Sequence, residues 1–168
     1  MFLEATVSRQ ERSHSIAIKG MVPDTTLTHD LERYLVAGRM FTAAASSLAA
    51  SDVVIGDQVA RRLGVDVGDS ITLVIPFGPN SPEQSRPWTL RVAGLLHFGN
   101  EEYDLRLIFA PMQLTQRMVN VGDQVMGVTV KLTDPRAAPP FADTLQRRLG
   151  KPYVVMDWCS LNRAILRC

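Results

Sequence analysis

Residues 54–76 read VIGDQVARRLGVDVGDSITLVIP, and two glycines in this stretch, Gly64 and Gly68, decide what kind of fold to expect. Glycines close together beside a basic, apolar-striped segment are the material of phosphate-cradling loops. Such a loop would point to a nucleotide-binding enzyme. The spacing argues against it: a P-loop is GxxxxGK[ST], whereas here three residues separate the glycines and Asp69 stands where lysine would be. A carboxylate there repels phosphate, and the helical segment precedes the glycines instead of following them. A dinucleotide fingerprint fails too, because no GxGxxG follows a strand. Gly64 fits a helix C′ position, where positive φ is needed, and Gly68-Asp69 fits the tight turn into the next strand. The stretch is strand, helix, turn and strand.

Working outward, VVI (53–55) reads as a short buried strand, followed by a helix that turns Val59, Ala60 and Leu63 to the core and Arg61 and Arg62 to solvent. SITLVIP (70–76) and WTLRVAGLLHF (88–98) are strands joined by the proline-rich FGPNSPEQSRP. LRLIFAP (105–111) is another strand, and MQLTQRMV (112–119) a helix that starts after Pro111. Toward the N-terminus, SIAIK (15–19) alternates apolar and polar residues as a half-buried strand does. DLERYLVA (30–37) reads as a short helix closed by Gly38, and TAAASSLAAS (42–51) as a loop. Toward the C-terminus, VMGVTVKLTD (125–134) is the cleanest alternating strand in the chain. Pro135 then opens a helix with Phe141, Leu145 and Leu149 on one face, PYVVMDW (152–158) is a strand, and a final helix aligns Trp158, Leu161 and Ile165.

This order predicts an α+β fold. Residues 1–37 and 125–168 are expected to form one mixed α/β subdomain built from both chain ends, with a β-rich subdomain, 38–124, inserted in it.

Composition agrees with a folded domain and narrows its partners. The 168 residues are 46 % hydrophobic and 21 % charged, close to soluble globular averages. A net charge of +1 leaves no electrostatic footprint for nucleic acid. No stretch is apolar enough to span a membrane, and no signal peptide opens the chain. The last segment, DWCSLNRAILRC, ends without a helix stop signal, so the chain reads as a piece of a longer one. Cys159 and Cys168 lie in that segment; on an unbroken helix they would stand about 13 Å apart, too far for a disulfide.

No catalytic residue, cofactor or metal is expected. His14, His29 and His97 are far apart in sequence, with no HxxxH or CxxC. No GxSxG is present. Glu101, Glu102 and Asp104 in GNEEYD read as a solvated acidic turn between strands, although a soluble enzyme would use such carboxylates as acid and base. The connection FGPNSPEQSRPW (77–88) stands apart. Hairpin connections need only about 2–5 residues. This one is longer, is stiffened by proline, and is flanked by Phe77 and Trp88, as a pre-organised contact loop would be.

Five segments in order, GRMF (38–41), VVIGDQVARRLGVDVGDSITLVIP (53–76), LRVAGLLHFGNEEYD (90–104), VMGVTVKLTDP (125–135) and VMDWCSLNRAIL (155–166), resemble the extracytoplasmic domain of MacB/FtsX-like permeases. The similarity is greatest to the lipoprotein-releasing LolC/LolE type. The resemblance implies a periplasmic domain between the first two membrane helices of an inner-membrane ABC transporter permease, with the flanking helices outside this sequence. It implies a Porter-like subdomain from 1–37 and 125–168, and a Sabre-like subdomain at 38–124. Its implied partners are a second permease subunit, a cytoplasmic ATPase, and the carrier LolA or lipoprotein cargo. Its implied action is release of lipoproteins through protein–protein contact, without cofactor or nucleic acid. The alternative it leaves open is a MacB-like mechanotransmission domain of an efflux or other export permease. By position, the family's carrier-docking hook corresponds to residues 76–88, which gives Phe77, Gly78, Pro79, Asn80, Ser81, Pro82, Arg86 and Trp88 as partner-binding candidates. The loop is shorter than the LolC hook and nearer the LolE arrangement.

Overall fold

The computed structural model describes residues 2–23, 25–42, 51–75 and 86–161. Two compact units divide the chain, Met1–Gly127 and Val128–Cys168.

In the first unit the described strands are β1 (Phe2–Arg9), β2 (Arg12–Met21), β3 (Leu35–Gly38), β4 (Asp52–Gly56), β5 (Ser70–Val74), β6 (Trp88–Leu96) and β7 (Leu107–Pro111). Their order is β3-β6-β4-β7-β2-β1-β5, and β5 also pairs with β6, so all but β3 close into a ring. The ring is a six-stranded barrel. β6 makes this possible by its length: Trp88–Arg91 pair with β5, while Gly94–Leu96 pair with β3 along the same edge. Closure removes the exposed edges that an open sheet of these strands would present.

Period-two alternation fills the barrel. Ala5 and Val7, Ile16 and Ile18, Val53 and Ile55, Ile71 and Leu73, Leu90 and Val92, and Ile108 and Ala110 pack in one buried cluster. The register is consistent with a shared inner face, since Ala5 lies opposite Ile16, Val7 opposite Leu73, and Ile55 opposite Ile108. Residues of opposite parity, Val54 and Phe109, belong to a second cluster with Met21, Met40, Phe41 and Leu96, against which Tyr34, Leu35 and Phe98 pack.

Helices close both ends. α2 (Asp57–Leu63) leaves the C-terminus of β4, and α4 (Met112–Val119) leaves the C-terminus of β7. β4 and β7 are antiparallel, so the two helices sit at opposite ends of the barrel. α2 contributes Val59, Ala60 and Leu63 to the inner cluster, and α4 contributes Leu114. α2 stops where the glycines predicted: Gly64 is left-handed (φ 67°) and its N–H reaches the carbonyls of Ala60 and Arg61. At Gly20 a Cβ would fall 2.1 Å from Thr115 Oγ1, so glycine lets α4 approach β2.

Two local expectations changed. Residues 30–37 are not one helix; α1 (Thr26–Glu32) ends early and Leu35–Gly38 become β3, because β6 offers a free edge there. GNEEYD is helical rather than a turn: the Asn100 side chain caps α3 (Glu101–Arg106) by accepting from the N–H groups of Glu102 and Tyr103.

In the second unit a 3-10 turn (Pro135–Ala137) leads into α5 (Ala138–Leu149), and α6 (Trp158–Leu161) follows. The strands expected over 125–134 and 152–158 are absent: these residues are irregular up to the 3-10 turn and α6. A strand needs a partner to satisfy its backbone, and no described segment pairs with either. Val128, Val130, Val154 and Met156 are accordingly exposed. Instead the Gln146 side chain accepts from Val155 N–H and donates to the Tyr153 carbonyl, doing for that backbone what a neighbouring strand would do. The indole of Trp158 donates to the Pro135 carbonyl.

The cysteine expectation is corrected. Cys159 is disulfide-bonded, and the chain's other cysteine, Cys168, lies outside the described residues. The distance argument assumed an unbroken helix through residue 168, and residues 162–168 lie outside the described residues.

The α+β class stands. The expected boundary at residue 38 falls within the first unit, where strands on both sides of it share one sheet.

Candidate functional site

The contact loop read from the sequence joins β5 to β6, an antiparallel pair. Phe77, Gly78, Pro79, Asn80, Ser81 and Pro82 lie outside the described residues. Arg86 is exposed, and Trp88 starts β6 opposite Leu73, half-buried and packed against the barrel core. Trp88 thus anchors the loop's return to the barrel. The anchors stand at the N-terminal end of β6, the end that α4 closes.

A charged cluster occupies the opposite end. β4 and β6 run parallel with Gly56 opposite Leu96, so the residues that follow, Asp57 and His97, emerge side by side. Gly56 also admits α3: a Cβ there would lie 2.2 Å from the Asp104 carbonyl oxygen. That approach brings Asp104 to the same spot. His97 Nδ1 lies 3.3 Å from Asp57 Oδ2 and 3.6 Å from Asp104 Oδ2. Asp104 is fixed by two backbone donors, Phe98 N–H (2.7 Å) and Gly99 N–H (3.1 Å). Asp57 Oδ2 also accepts from Arg61 Nη2 at 2.9 Å, while its Oδ1 is buried with no hydrogen-bond partner among the described residues.

Sequence reasoning missed this cluster because its members lie in three segments brought together by a parallel register and a glycine. It also misread Asp104, which is 2 % exposed and structural, whereas its neighbours Glu101 and Glu102 are solvated as expected. The one available signal was GNEEYD, where a third carboxylate sits three residues after the first, on the inward side of a capped helix.

A second polar group holds the barrel seam. Asp52 on β4 faces Arg91 on β6, where β6 passes from its β5 partner to β4. Arg91 Nε and Nη2 grip the two Asp52 oxygens at 2.7 and 2.8 Å, and Arg39 Nη2 adds a contact at 2.8 Å. The Arg91 hydrogen bonds hold the Asp52 carboxyl below the usual carboxylate range; burial opposes them, and the charges of Arg91 and Arg39 assist. This bidentate pair is structural, since it fixes register.

Known proteins put this architecture in context. Residues 2–148 match the MacB-like periplasmic core domain. The chain belongs to that family. Two relatives of this MacB-like domain are lipoprotein-releasing system transmembrane proteins LolC. The one from Xylella fastidiosa (strain Temecula1) is 31 % identical over 156 residues, 90 % of this chain and 37 % of the relative. The one from Neisseria meningitidis serogroup B is 31 % identical over 116 residues, 67 % of this chain and 28 % of the relative. The MacB-like domain therefore spans little more than a third of the longer-matched relative. In three dimensions it is similar to the extracellular domain of the noncanonic ABC-type transporter YknZ from Gram-positive bacteria. The TM-score is 0.57 at 16 % identity, covering 93 % of this chain and 78 % of that one, a likeness of fold. The first four of the five segments quoted for the resemblance fall inside the matched 2–148, and the fifth lies beyond it. No helix among the described residues is long and apolar enough to cross a membrane.

Proposed function

We propose that this chain is the extracytoplasmic, periplasmic domain of an inner-membrane ABC transporter permease that releases lipoproteins to a soluble carrier. The observation that carries this reading is the 31 % identity to a LolC protein over 90 % of the chain. The domain acts by protein–protein contact and performs no chemistry of its own. Its partners on this reading are a second permease subunit, a cytoplasmic ATPase and the carrier LolA or its lipoprotein cargo. The barrel supplies a rigid base for the β5–β6 connection, and Phe77, Gly78, Pro79, Asn80, Ser81, Pro82 and Arg86 make up the contact surface, with Trp88 as its anchor. The division into Porter-like (1–37 and 125–168) and Sabre-like (38–124) parts belongs to the proposal with one amendment. β1 and β2 hydrogen-bond into the barrel, so residues 2–21 go with the barrel-forming part.

A second reading, favoured by the MacB-like family match, keeps the fold and changes the cargo: a mechanotransmission domain coupling ATP hydrolysis to a periplasmic partner in export. Binding of the purified chain to LolA from the same organism separates the two, with residues 77–86 replaced by a Gly/Ser linker as the comparison. Binding that the replacement abolishes supports release with the loop as dock. Unchanged binding moves the dock elsewhere, and no binding by either protein favours a LolE-type subunit or the mechanotransmission reading.

A further inference from the structure

We propose that Asp57, His97 and Asp104 form a binding site for a divalent first-row transition metal, zinc being the ion their donor set fits best. One ligand atom from each lies within 4.8 Å of the other two. In a tetrahedral zinc site with bonds of about 2.0–2.1 Å, neighbouring ligand atoms are about 3.3 Å apart. The separations from His97 Nδ1, 3.3 Å to Asp57 and 3.6 Å to Asp104, have that length before any ion enters.

The second observation is independent of the cluster's shape. Asp57 is 7 % exposed, and while its Oδ2 faces His97, its Oδ1 has no hydrogen-bond partner among the described residues. A buried carboxylate oxygen left unpaired is costly, and a cation held on the same carboxylate through Oδ2 offsets that cost. Two carboxylates with one neutral imidazole balance the charge of a divalent ion. Nitrogen with oxygen donors suits zinc, and equally accepts cobalt as a spectroscopic substitute.

The surroundings are built as a metal site requires. Asp104 is already oriented by the Phe98 and Gly99 N–H groups, which act as outer-sphere supports. The competing Arg61 guanidinium is 69 % exposed, so it can swing into water when the ion arrives. His97, 48 % exposed, provides the entry path. Three protein ligands leave a fourth position to water or to a donor from another molecule. Bound there, the ion would tie the start of α2 to the β6–α3 connection, at the barrel end opposite the start of β6.

The test uses the tag-free chain, titrated with zinc chloride by calorimetry and followed by thermal unfolding, with cobalt chloride as the spectroscopic probe. One-to-one zinc binding, a raised melting temperature and the visible absorption of tetrahedral cobalt are expected. His97→Ala, at an exposed position, and Asp57→Asn, which preserves shape, should each weaken zinc binding by at least about tenfold. His14→Ala/His29→Ala should leave it intact. Circular dichroism of the metal-free variants confirms that they fold. No binding by the parent chain at millimolar zinc, or an affinity unchanged by either single variant, overturns the proposal. Either outcome leaves the permease reading untouched, because that reading rests on family membership.

Discussion

Two segments of this chain carry the same pattern and meet different fates. SITLV in β5 and VTVKL at 128–132 both alternate apolar with polar residues. In the first unit Ile71 and Leu73 are 1 % and 0 % exposed; in the second, Val128 and Val130 are 83 % and 54 % exposed. Alternation creates an apolar face but no partner to cover it. β5 is hydrogen-bonded on both sides, by β1 and β6, and its face becomes barrel interior. The described residues of the second unit provide nothing equivalent for 128–132.

Paired substitutions sharpen this contrast. The largest effect is expected inside the barrel: Leu73→Ala should cost about 2–5 kcal/mol in unfolding free energy, as deletion of a fully buried side chain does. Val128→Ala should stay within about 0.5 kcal/mol. Urea melts of both variants measure this, and comparable losses would break the comparison. Next comes glycine. Gly56→Ala puts a Cβ against the Asp104 backbone and should cost about 1–3 kcal/mol as α3 is pushed away. Gly127→Ala, where a Cβ would meet nothing within 4 Å, should be close to neutral in the same melts.

Two carboxylates carry the electrostatic side of the same comparison. Asp52→Asn removes a buried, charged hydrogen-bond acceptor from the seam and should cost about 1.5–3 kcal/mol near neutral pH by denaturant titration, at the expected minimum less than Leu73→Ala. Its folded pKa is depressed, so the stability it contributes is present above the ordinary carboxylate value and lost as pH falls through the folded one. Asn at this position should therefore flatten the acid limb of the stability curve. A limb of unchanged slope would remove Asp52 as its source. Asp157 is also held below its ordinary value, chiefly by the Ser160 hydroxyl and then by backbone N–H groups, as it caps α6. It is less buried than Asp52, so Asp157→Asn should change the limb far less.

Much of the barrel was legible in the sequence, in pieces. Strands β4, β5, β6 and β7, helices α2 and α4, and the stop at Gly64 all lie where periodicity and glycine chemistry put them. The errors fall where a neighbour decided the outcome. Leu35–Gly38 became a strand because β6 had an edge to pair. GNEEYD became a helix because Asn100 capped it and Gly56 made room. Residues 125–134 and 152–157 stayed irregular, with no strand partner among the described residues.

The candidate sites divide along the same line. The β5–β6 connection was visible because proline density and length are local properties. The Asp57–His97–Asp104 cluster was not, because nothing in VIGDQ or LLHFG records that the two strands run parallel with Gly56 beside Leu96. By itself the sequence determined which segments alternate, which face of α2 is apolar, and where α2 and α4 lie, since these follow from side-chain periodicity and backbone conformational preference over a few residues. Only the tertiary structure decided that the sheet closes, which alternating face is covered, and which distant charges meet. Those outcomes depend on hydrogen-bond pairing between segments far apart in the chain, and no local pattern specifies it.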